Sequence, residues 1–169
     1  MKKESLNMST RAYLIQKVDN QFKGIYLHFD GYLEQTGVIL QQSYSTNQKV
    51  TQLINLGACS VLGHSTTPSE AVSHFGFDSL HSDKFRQLDI EEQQRLRENY
   101  YSQAHSIFYH RDRSEKLDIF TFSSIQEIID DRMMIAFTYI FIHGKWWLLD
   151  DKGHLQSLEK ALQYNKIEY

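Results

Sequence analysis

The sequence predicts an α+β fold in which a mainly antiparallel sheet, built from an N-terminal and a C-terminal hairpin, carries helices packed on it. Strand-forming segments fall at 11–29 and 133–149, and helical patterns occupy much of the chain between them. Strands therefore segregate from helices, which is typical of α+β proteins. The 169 residues, 41% hydrophobic and 23% charged, suffice for one globular domain. We expect residues 1–10 to form a flexible leader and residues 11–169 a single domain.

The N-terminal hairpin is predicted from two β-prone segments, 11–18 and 22–29, with Asp19-Asn20-Gln21 between them. Asp and Asn favour turns because their short side chains bond to the local backbone. Apolar residues then recur at helical spacing from 32 to 44. A second helix is expected to begin at Thr46, a good N-cap, and to end at Gly57 in the C′ position.

Residues 64–88 have a different composition, rich in Ser, Thr, His and Asp. This composition predicts an irregular insert with little regular structure, which we expect to be the most mobile part of the domain and a place for partner contacts. Asp89 and Glu92 have the spacing of a capping box and indicate a helix that runs to about Gln103.

The last third of the chain predicts short elements around one secure hairpin. His143-Gly144 is a two-residue turn between the apolar segments 133–142 and 145–149, with Gly where a positive φ is needed. The other expected elements are strands at 107–110 and 117–122, a helix at 124–130 that starts with the Ser124/Glu127 capping box, and a C-terminal amphipathic helix over 155–162.

One hydrophobic core is expected to hold residues from both hairpins and from the helices. The residues predicted to be buried together are Leu14, Ile25, Leu27, Leu40, Leu53, Ile140 and Leu158.

The net charge, the cysteine content and the apolar segments argue against several classes of protein. A formal net charge of −3 argues against a general nucleic-acid binder, which normally has a basic face. The single cysteine, Cys59, excludes an intramolecular disulfide, and its apolar neighbours predict a small buried side chain. The N-terminus lacks the apolar region of a signal peptide, and the longest apolar stretch, 133–142, is half the length of a membrane helix. We therefore expect a cytoplasmic protein without a membrane partner.

Two His-x-Asp pairs are the candidate chemical groups: His28 with Asp30, and His110 with Asp112. Residues two apart in a strand project to the same side, so adjacent strands would bring all four side chains together. Such a set suits a metal ion, or a general base oriented by an acid. Alternatively, each Asp caps a turn or pairs with an Arg while each His is hydrogen-bonded, and the sequence leaves both interpretations open.

Three more residues complete the candidate cleft: Tyr32, Arg111 and Arg113. The two arginines are close enough in sequence to hold a phosphate group together. Trp146 and Trp147 are consecutive in a predicted strand and must point to opposite faces of the sheet. At least one of them is therefore a candidate for contact with a partner.

Several runs of residues share a pattern with known proteins. In the first half these are Met8-Ser9-Thr10-Arg11, Ile25-Tyr26-Leu27-His28-Phe29-Asp30-Gly31-Tyr32, Gly37, Lys49-Val50, Leu53-Ile54-Asn55-Leu56-Gly57 and Leu62-Gly63. In the second half they are His110-Arg111-Asp112-Arg113, Tyr139-Ile140-Phe141 and Gly144-Lys145-Trp146. Over residues 9–63 and 107–162 the chain thus resembles a family of small uncharacterised proteins associated with bacteriophages and prophages.

The resemblance implies a mobile-element context and no particular reaction. The family pattern is Tyr-Cys-His-Trp-Asp-Gly-Tyr-Pro where this chain has Leu27 for the Cys and Leu33 for the Pro. A metal site that used that Cys is therefore not preserved in this chain.

We predict a binding or interaction protein of phage or mobile-element origin that antagonises or modulates a host system. The expected partner is a protein, a homodimer stays open, and no cofactor is expected. One alternative is a small metal-dependent hydrolase or nuclease that uses His28, Asp30, His110 and Asp112. The other is a nucleotide- or small-molecule-binding module in which Arg111 and Arg113 hold phosphate.

Overall fold

A computed structural model describes residues 9–169, so most of the predicted leader lies outside the described residues. The strands are β1 (Ala12–Val18), β2 (Gln21–Leu27), β3 (Cys59–Val61), β4 (Ile107–Phe108), β5 (Phe120–Phe122), β6 (Phe137–Ile142), β7 (Lys145–Leu149) and β8 (Leu155–Ser157). The α-helices are α1 (Val38–Ser43), α2 (Asn47–Asn55), α3 (Glu70–Phe75), α4 (Asp83–Arg86), α5 (Ile90–Tyr101), α6 (Tyr109–Arg113), α7 (Ile125–Asp131) and α8 (Leu158–Tyr164). A π-helical turn at Leu33–Gly37 precedes α1, and a 3₁₀ turn lies at Ser79–His81.

The α+β prediction is confirmed, but the sheet is mixed and not mainly antiparallel. Its strand order is β4-β3-β2-β1-β6-β7-β8, and β5 also pairs with β2. The hairpins β1–β2 and β6–β7 both form, and β1 joins them by running parallel to β6. A second parallel pair joins β2 to β3. Two parallel strands need a long connection between them, and the helices between β2 and β6 provide it for β1 and β6. The sequence signals of the two hairpins do not reveal this parallel pairing.

The hairpin turns follow the local chemistry of the sequence. His143 and Gly144 have φ values of +48° and +79°, the left-handed conformations that a tight two-residue turn requires. Helix α2 begins as predicted, with the Thr46 side chain accepting from the Lys49 N–H, and Gly57 follows it at φ +79°.

The main core lies between one face of the sheet and helices α1, α2 and α8. Six of the seven residues predicted to be buried together belong to it. The seventh, Ile140, is buried on the opposite face, where it packs with Ile15 and Ile128. The reason is the alternation of side chains along β6, which sends Tyr139 and Phe141 to the main core and Ile140 to the other face.

The prediction of an irregular insert at 64–88 is wrong, because this segment contains α3, the 3₁₀ turn and α4. Two serines start the α-helices: Ser69 accepts from the Val72 N–H, and Ser82 accepts from the Phe85 N–H. The segment packs against α5 around the buried side chains of Ala71, Phe85 and Leu96. The serines that suggested a loop are therefore helix caps. We refer to residues 64–88 as the insert.

Two further boundaries differ from the sequence prediction. The strand expected at 107–110 ends at Phe108, and the chain turns at once into α6. The C-terminal helix begins at Leu158, not at 155, because Leu155–Ser157 pairs with β7 as strand β8. Within residues 9–169, no helix is both long enough and apolar enough to cross a membrane.

Candidate functional site

The turn His28-Phe29-Asp30-Gly31-Tyr32 follows β2 at the edge of the main core. The N–H groups of His28 and Phe29 donate to the carbonyl oxygens of Cys59 and Ser60 at 3.0 and 3.1 Å, which continues the pairing with β3. At Gly31 a Cβ would lie 2.7 Å from the Ala12 Cβ, so only glycine fits without rearrangement.

The His28 and Asp30 side chains do not project to the same side, contrary to the expectation from strand alternation. Asp30 has a left-handed backbone with φ +58°, which ends the alternation of side chains at this point. The His28 ring bonds to Tyr109, whereas Asp30 and Tyr32 line a separate cavity beside α5. The turn therefore contributes to two neighbouring sites.

The first site is a connected surface of rings, which we call the strand-end face; its members are Tyr26, His28, Phe29, Phe77, Tyr109 and Arg113. The Phe29 ring is 40% exposed and stacks on His28 with centroids 4.1 Å apart. The Nδ1 atom of His28 hydrogen-bonds to the Tyr109 hydroxyl at 2.7 Å. Tyr109 stacks on Phe77 of the insert at 5.7 Å. The guanidinium of Arg113 lies over both rings, 4.6 and 4.7 Å from their centroids.

Two arginines shape the electrostatics of the strand-end face. Burial lowers the pKa of His28 below its ordinary value of 6.5, and the positive charges of Arg11 and Arg113 lower it further. Arg113 also pairs with the exposed carboxylate of Glu115 through its Nε at 2.7 Å. Burial and both arginines thus disfavour a proton on the His28 ring.

The second His-x-Asp pair has a structural role. The side chain of Asp112 is only 5% exposed; it accepts from the Phe108 N–H at 2.8 Å and binds Arg111 through both oxygens. Arg111 also donates to the carbonyl oxygens of Thr66 and Ser106. Since each nitrogen of this guanidinium is engaged, Arg111 and Arg113 do not form the predicted phosphate site.

His110 closes the turn after α6, with its Nδ1 2.6 Å from the Glu115 carbonyl oxygen. It lies on a helix, where residues two apart do not share a face, so His110 and Asp112 diverge. Among the described residues, no group of three or more His, Cys, Asp or Glu side chains could hold a metal ion. The four residues of the metal-dependent alternative are thus not gathered into one site.

The two tryptophans have different environments. Trp146 is buried in the main core and donates from Nε1 to the Tyr44 carbonyl oxygen at 2.7 Å, so it is the member of the pair that points into the core. Trp147 is half-buried, and within residues 9–169 its buried Nε1 has no acceptor. A contact between Trp147 and a partner stays a prediction. Cys59 is buried, as expected, and burial raises the pKa of its thiol.

Fold and site together define a class: an α+β protein with a mixed sheet and an aromatic, arginine-bearing face at the end of β2. Comparisons with protein-family models, curated proteins and solved structures found no match. The resemblance to phage-associated proteins therefore gains no support from them.

Of the six members of the strand-end face, the sequence analysis predicted His28 and Arg113 as site residues and missed four. Two of these, Tyr26 and Phe29, are sequence neighbours of His28, whereas Phe77 and Tyr109 are distant in sequence. Phe77 lies in the insert, and Tyr109 precedes His110 in a segment expected to be a strand. No local pattern links residues 28, 77 and 109, because they meet only after the insert packs on the sheet. Alternation along the strand does predict that Tyr26 and His28 lie on the same side, and their ring centroids are 5.7 Å apart.

Proposed function

We propose that this chain is an interaction protein that binds a partner protein through the strand-end face. The observation that carries the proposal is the exposed Phe29 ring, stacked on His28 and continued by Tyr109 and Phe77 under the Arg113 guanidinium. Aromatic residues and arginine are the residue types enriched at the centres of protein interfaces. Because His28 and Tyr109 are hydrogen-bonded to each other, the rings are already ordered and little entropy is lost on binding.

The charges of this face favour an acidic segment in the partner. Arg11 and Arg113 both act on His28 with positive charge. A carboxylate placed beside His28 would meet complementary potential, which increases both specificity and the rate of association. Phe29 would supply the apolar anchor of the contact.

A host protein is the partner that the resemblance to phage-associated proteins implies, and antagonism or modulation of a host system is the role we propose on that basis. This part of the proposal rests on the runs of residues that carry the resemblance. The protein contact at the strand-end face does not depend on it.

The test compares the proteins recovered with tagged wild type and with variants, by quantitative mass spectrometry from cells of the native organism. Phe29→Ala and Arg113→Glu change the face, and Tyr164→Ala is the matched control because its ring is 83% exposed on α8. We expect a partner that is recovered with wild type and with the control and is reduced about tenfold or more by both face variants. Equal recovery of the same proteins by all four chains would contradict the proposal.

A further inference from the structure

The strand-end face continues from Tyr26 onto the surface of the sheet. Tyr26 is paired with Tyr13 across β1 and β2, and both side chains lie on the face of the sheet opposite the main core. The centroid of the Tyr13 ring lies 4.7 Å from that of Phe120 in β5. All three rings are half-buried, so part of each remains open to a partner. We call this surface the tyrosine patch; its members are Arg11, Tyr13, Tyr26, Asp118, Phe120 and Asp131.

Arg11 supplies a positive charge at one end of the tyrosine patch. The antiparallel register of β1 and β2 places Arg11 opposite His28, next to the strand-end face. Its Nε donates to the Ser9 Oγ at 3.4 Å, and within residues 9–169 no carboxylate forms an ion pair with it. Burial raises the pKa of Tyr26, and the charge of Arg11 opposes that effect. None of the described carboxylates has to be displaced for a partner carboxylate to bind Arg11.

Two carboxylates lie at the other end of the tyrosine patch. The Tyr13 hydroxyl donates to the Asp131 Oδ2 at 2.8 Å, at the end of α7. The register of β2 with β5 places Asp118 beside Tyr26. Burial raises the pKa of Tyr13, and the hydrogen bond to Asp131 and the charges of Asp131 and Asp118 raise it further, so the ring stays an uncharged phenol. Aromatic rings beside two exposed carboxylates suit the cation of a Lys or Arg side chain.

The opposite charges of the two ends favour a protein segment over a nucleic acid. A single strand of nucleic acid carries a phosphate at each nucleotide and would bring negative charge to Asp118 and Asp131. A peptide can instead carry an acidic residue at one position and a basic residue at another. The His28 and Tyr26 centroids are 5.7 Å apart, and Tyr13 continues the row on the next strand. At about 3.3 Å per residue, an extended segment of about five residues spans this row.

We propose that the partner protein contacts the tyrosine patch with an extended segment that carries an acidic residue at one end and a basic residue at the other. The acidic side chain binds Arg11. An apolar residue covers Tyr26, and the basic side chain lies against Tyr13 between the carboxylates of Asp118 and Asp131. This inference rests on the proposed function and adds to it the charge pattern of the segment that the partner supplies.

The experiment selects short random peptides from a displayed library on the immobilised full chain. We expect the wild type to enrich peptides in which an acidic and a basic residue lie about four positions apart, with an apolar residue between them. The most enriched peptide is then titrated by fluorescence anisotropy, together with one version in which the acidic residue is neutralised and one in which the basic residue is neutralised. Each neutralised version should bind the wild type about tenfold more weakly.

Variants of the chain assign each charge of the peptide to its contact. Arg11→Gln should weaken the enriched peptide about tenfold, and neutralising the acidic residue of the peptide should then have no further effect. The double variant Asp118→Asn with Asp131→Asn should do the same for the basic residue. Its amide oxygen at position 131 can still accept from the Tyr13 hydroxyl, so the fold is kept.

Matched controls change exposed charges on α8, which packs on the other face of the sheet. Lys160→Gln and Glu159→Gln should leave the affinity for the enriched peptide unchanged. A loss in these controls equal to the loss in the patch variants would overturn the inference, because the effect would then follow net charge alone.

Phe29→Ala separates this inference from the proposed function. Enriched peptides that need Phe29 but carry no acidic and basic pair would overturn the inference and leave the contact at the strand-end face standing. The same holds if neither Arg11→Gln nor the double aspartate variant alters binding, if no peptide is enriched, or if oligothymidine binds as tightly as the best peptide. Peptide binding that Phe29→Ala does not weaken would contradict the proposed function, and this inference with it.

Discussion

Asp30 determines how the side chains of the turn after β2 are distributed. Its φ of +58° lies in the left-handed region, which Asp adopts more readily than most residues. Because the backbone changes direction there, His28 joins the strand-end face while Tyr32 lines the separate cavity beside α5. One residue thus separates two sites that strand alternation would have merged.

His28 should make the stability of the protein depend on pH. Its pKa is below 6.5 in the folded state because of burial and of Arg11 and Arg113, so the unfolded state binds more protons below that pH. The free energy of unfolding should therefore be fully present above about pH 6.5 and fall as the pH is lowered from there. Urea unfolding at about pH 7.5 and about pH 5.5 measures this slope.

His28→Gln should reduce the dependence of the free energy of unfolding on pH. Arg113→Ala should also reduce it, because it removes a positive charge near His28. A slope unchanged in both variants would show that His28 does not titrate as this arrangement requires.

Arg111 and Arg113 should differ sharply in their contribution to stability. Arg111→Ala leaves the nearly buried Asp112 carboxylate without its cation and two carbonyl oxygens without a donor, which should cost about 3 kcal/mol. Arg113→Ala removes an exposed pair with Glu115 and the contacts of the guanidinium with the Phe77 and Tyr109 rings, and should cost about 1 kcal/mol. Denaturant titration of both variants measures the difference. Similar losses in the two would contradict the structural role assigned to Arg111.

At the scale of elements, both hairpins, helix α2 and the helices capped by Asp89 and Ser124 could be predicted because their signals are local. The Thr46 N-cap, the His143-Gly144 turn and the Ser124 cap act through neighbours in sequence. The parallel pairing of β1 with β6 could not be predicted, because it depends on where the intervening helices bring the chain back. The strand-end face could not be predicted for the same reason, because its members come from β2, the turn after it, the insert and α6.

Gly63 tests the close contact between the segments 63–65 and 103–105. A Cβ at Gly63 would collide with the carbonyl oxygens of Gln103 and His105, so Gly63→Ala should cost about 1–3 kcal/mol in denaturant titration. Gly37→Ala is the matched control: its Cβ would have its nearest neighbours at 3.4 to 3.6 Å in a helical backbone, and it should be neutral or slightly stabilising. Equal effects of the two substitutions would argue against the close approach at Gly63.

At the scale of the whole molecule, the described residues form three hydrophobic clusters: the main core, a smaller one on the other face of the sheet, and the one that the insert shares with α5. The third cluster is small, so the insert should open more easily than the sheet. The insert nevertheless places Phe77 against Tyr109, so the stability of the insert is linked to the strand-end face.

Phe85→Ala tests whether the insert can open while the sheet stays folded. Phe85 is fully buried at the centre of the third cluster, and its truncation should lower amide protection across 70–100 while β1, β2 and β6 remain protected. Hydrogen exchange with mass spectrometry reads out each region. Uniform loss of protection in all strands would instead show that the insert and the sheet unfold as one unit.

The central claim is that the strand-end face is the surface that a partner protein contacts. The most direct measurement replaces Phe29 with the photo-crosslinking residue p-benzoylphenylalanine and irradiates the protein in cells of its native organism, with the same replacement of exposed Tyr164 as the control. We predict a discrete covalent adduct from position 29 that Arg113→Glu abolishes, and no such adduct from position 164. An equal adduct from both positions, or none from position 29, would contradict the claim.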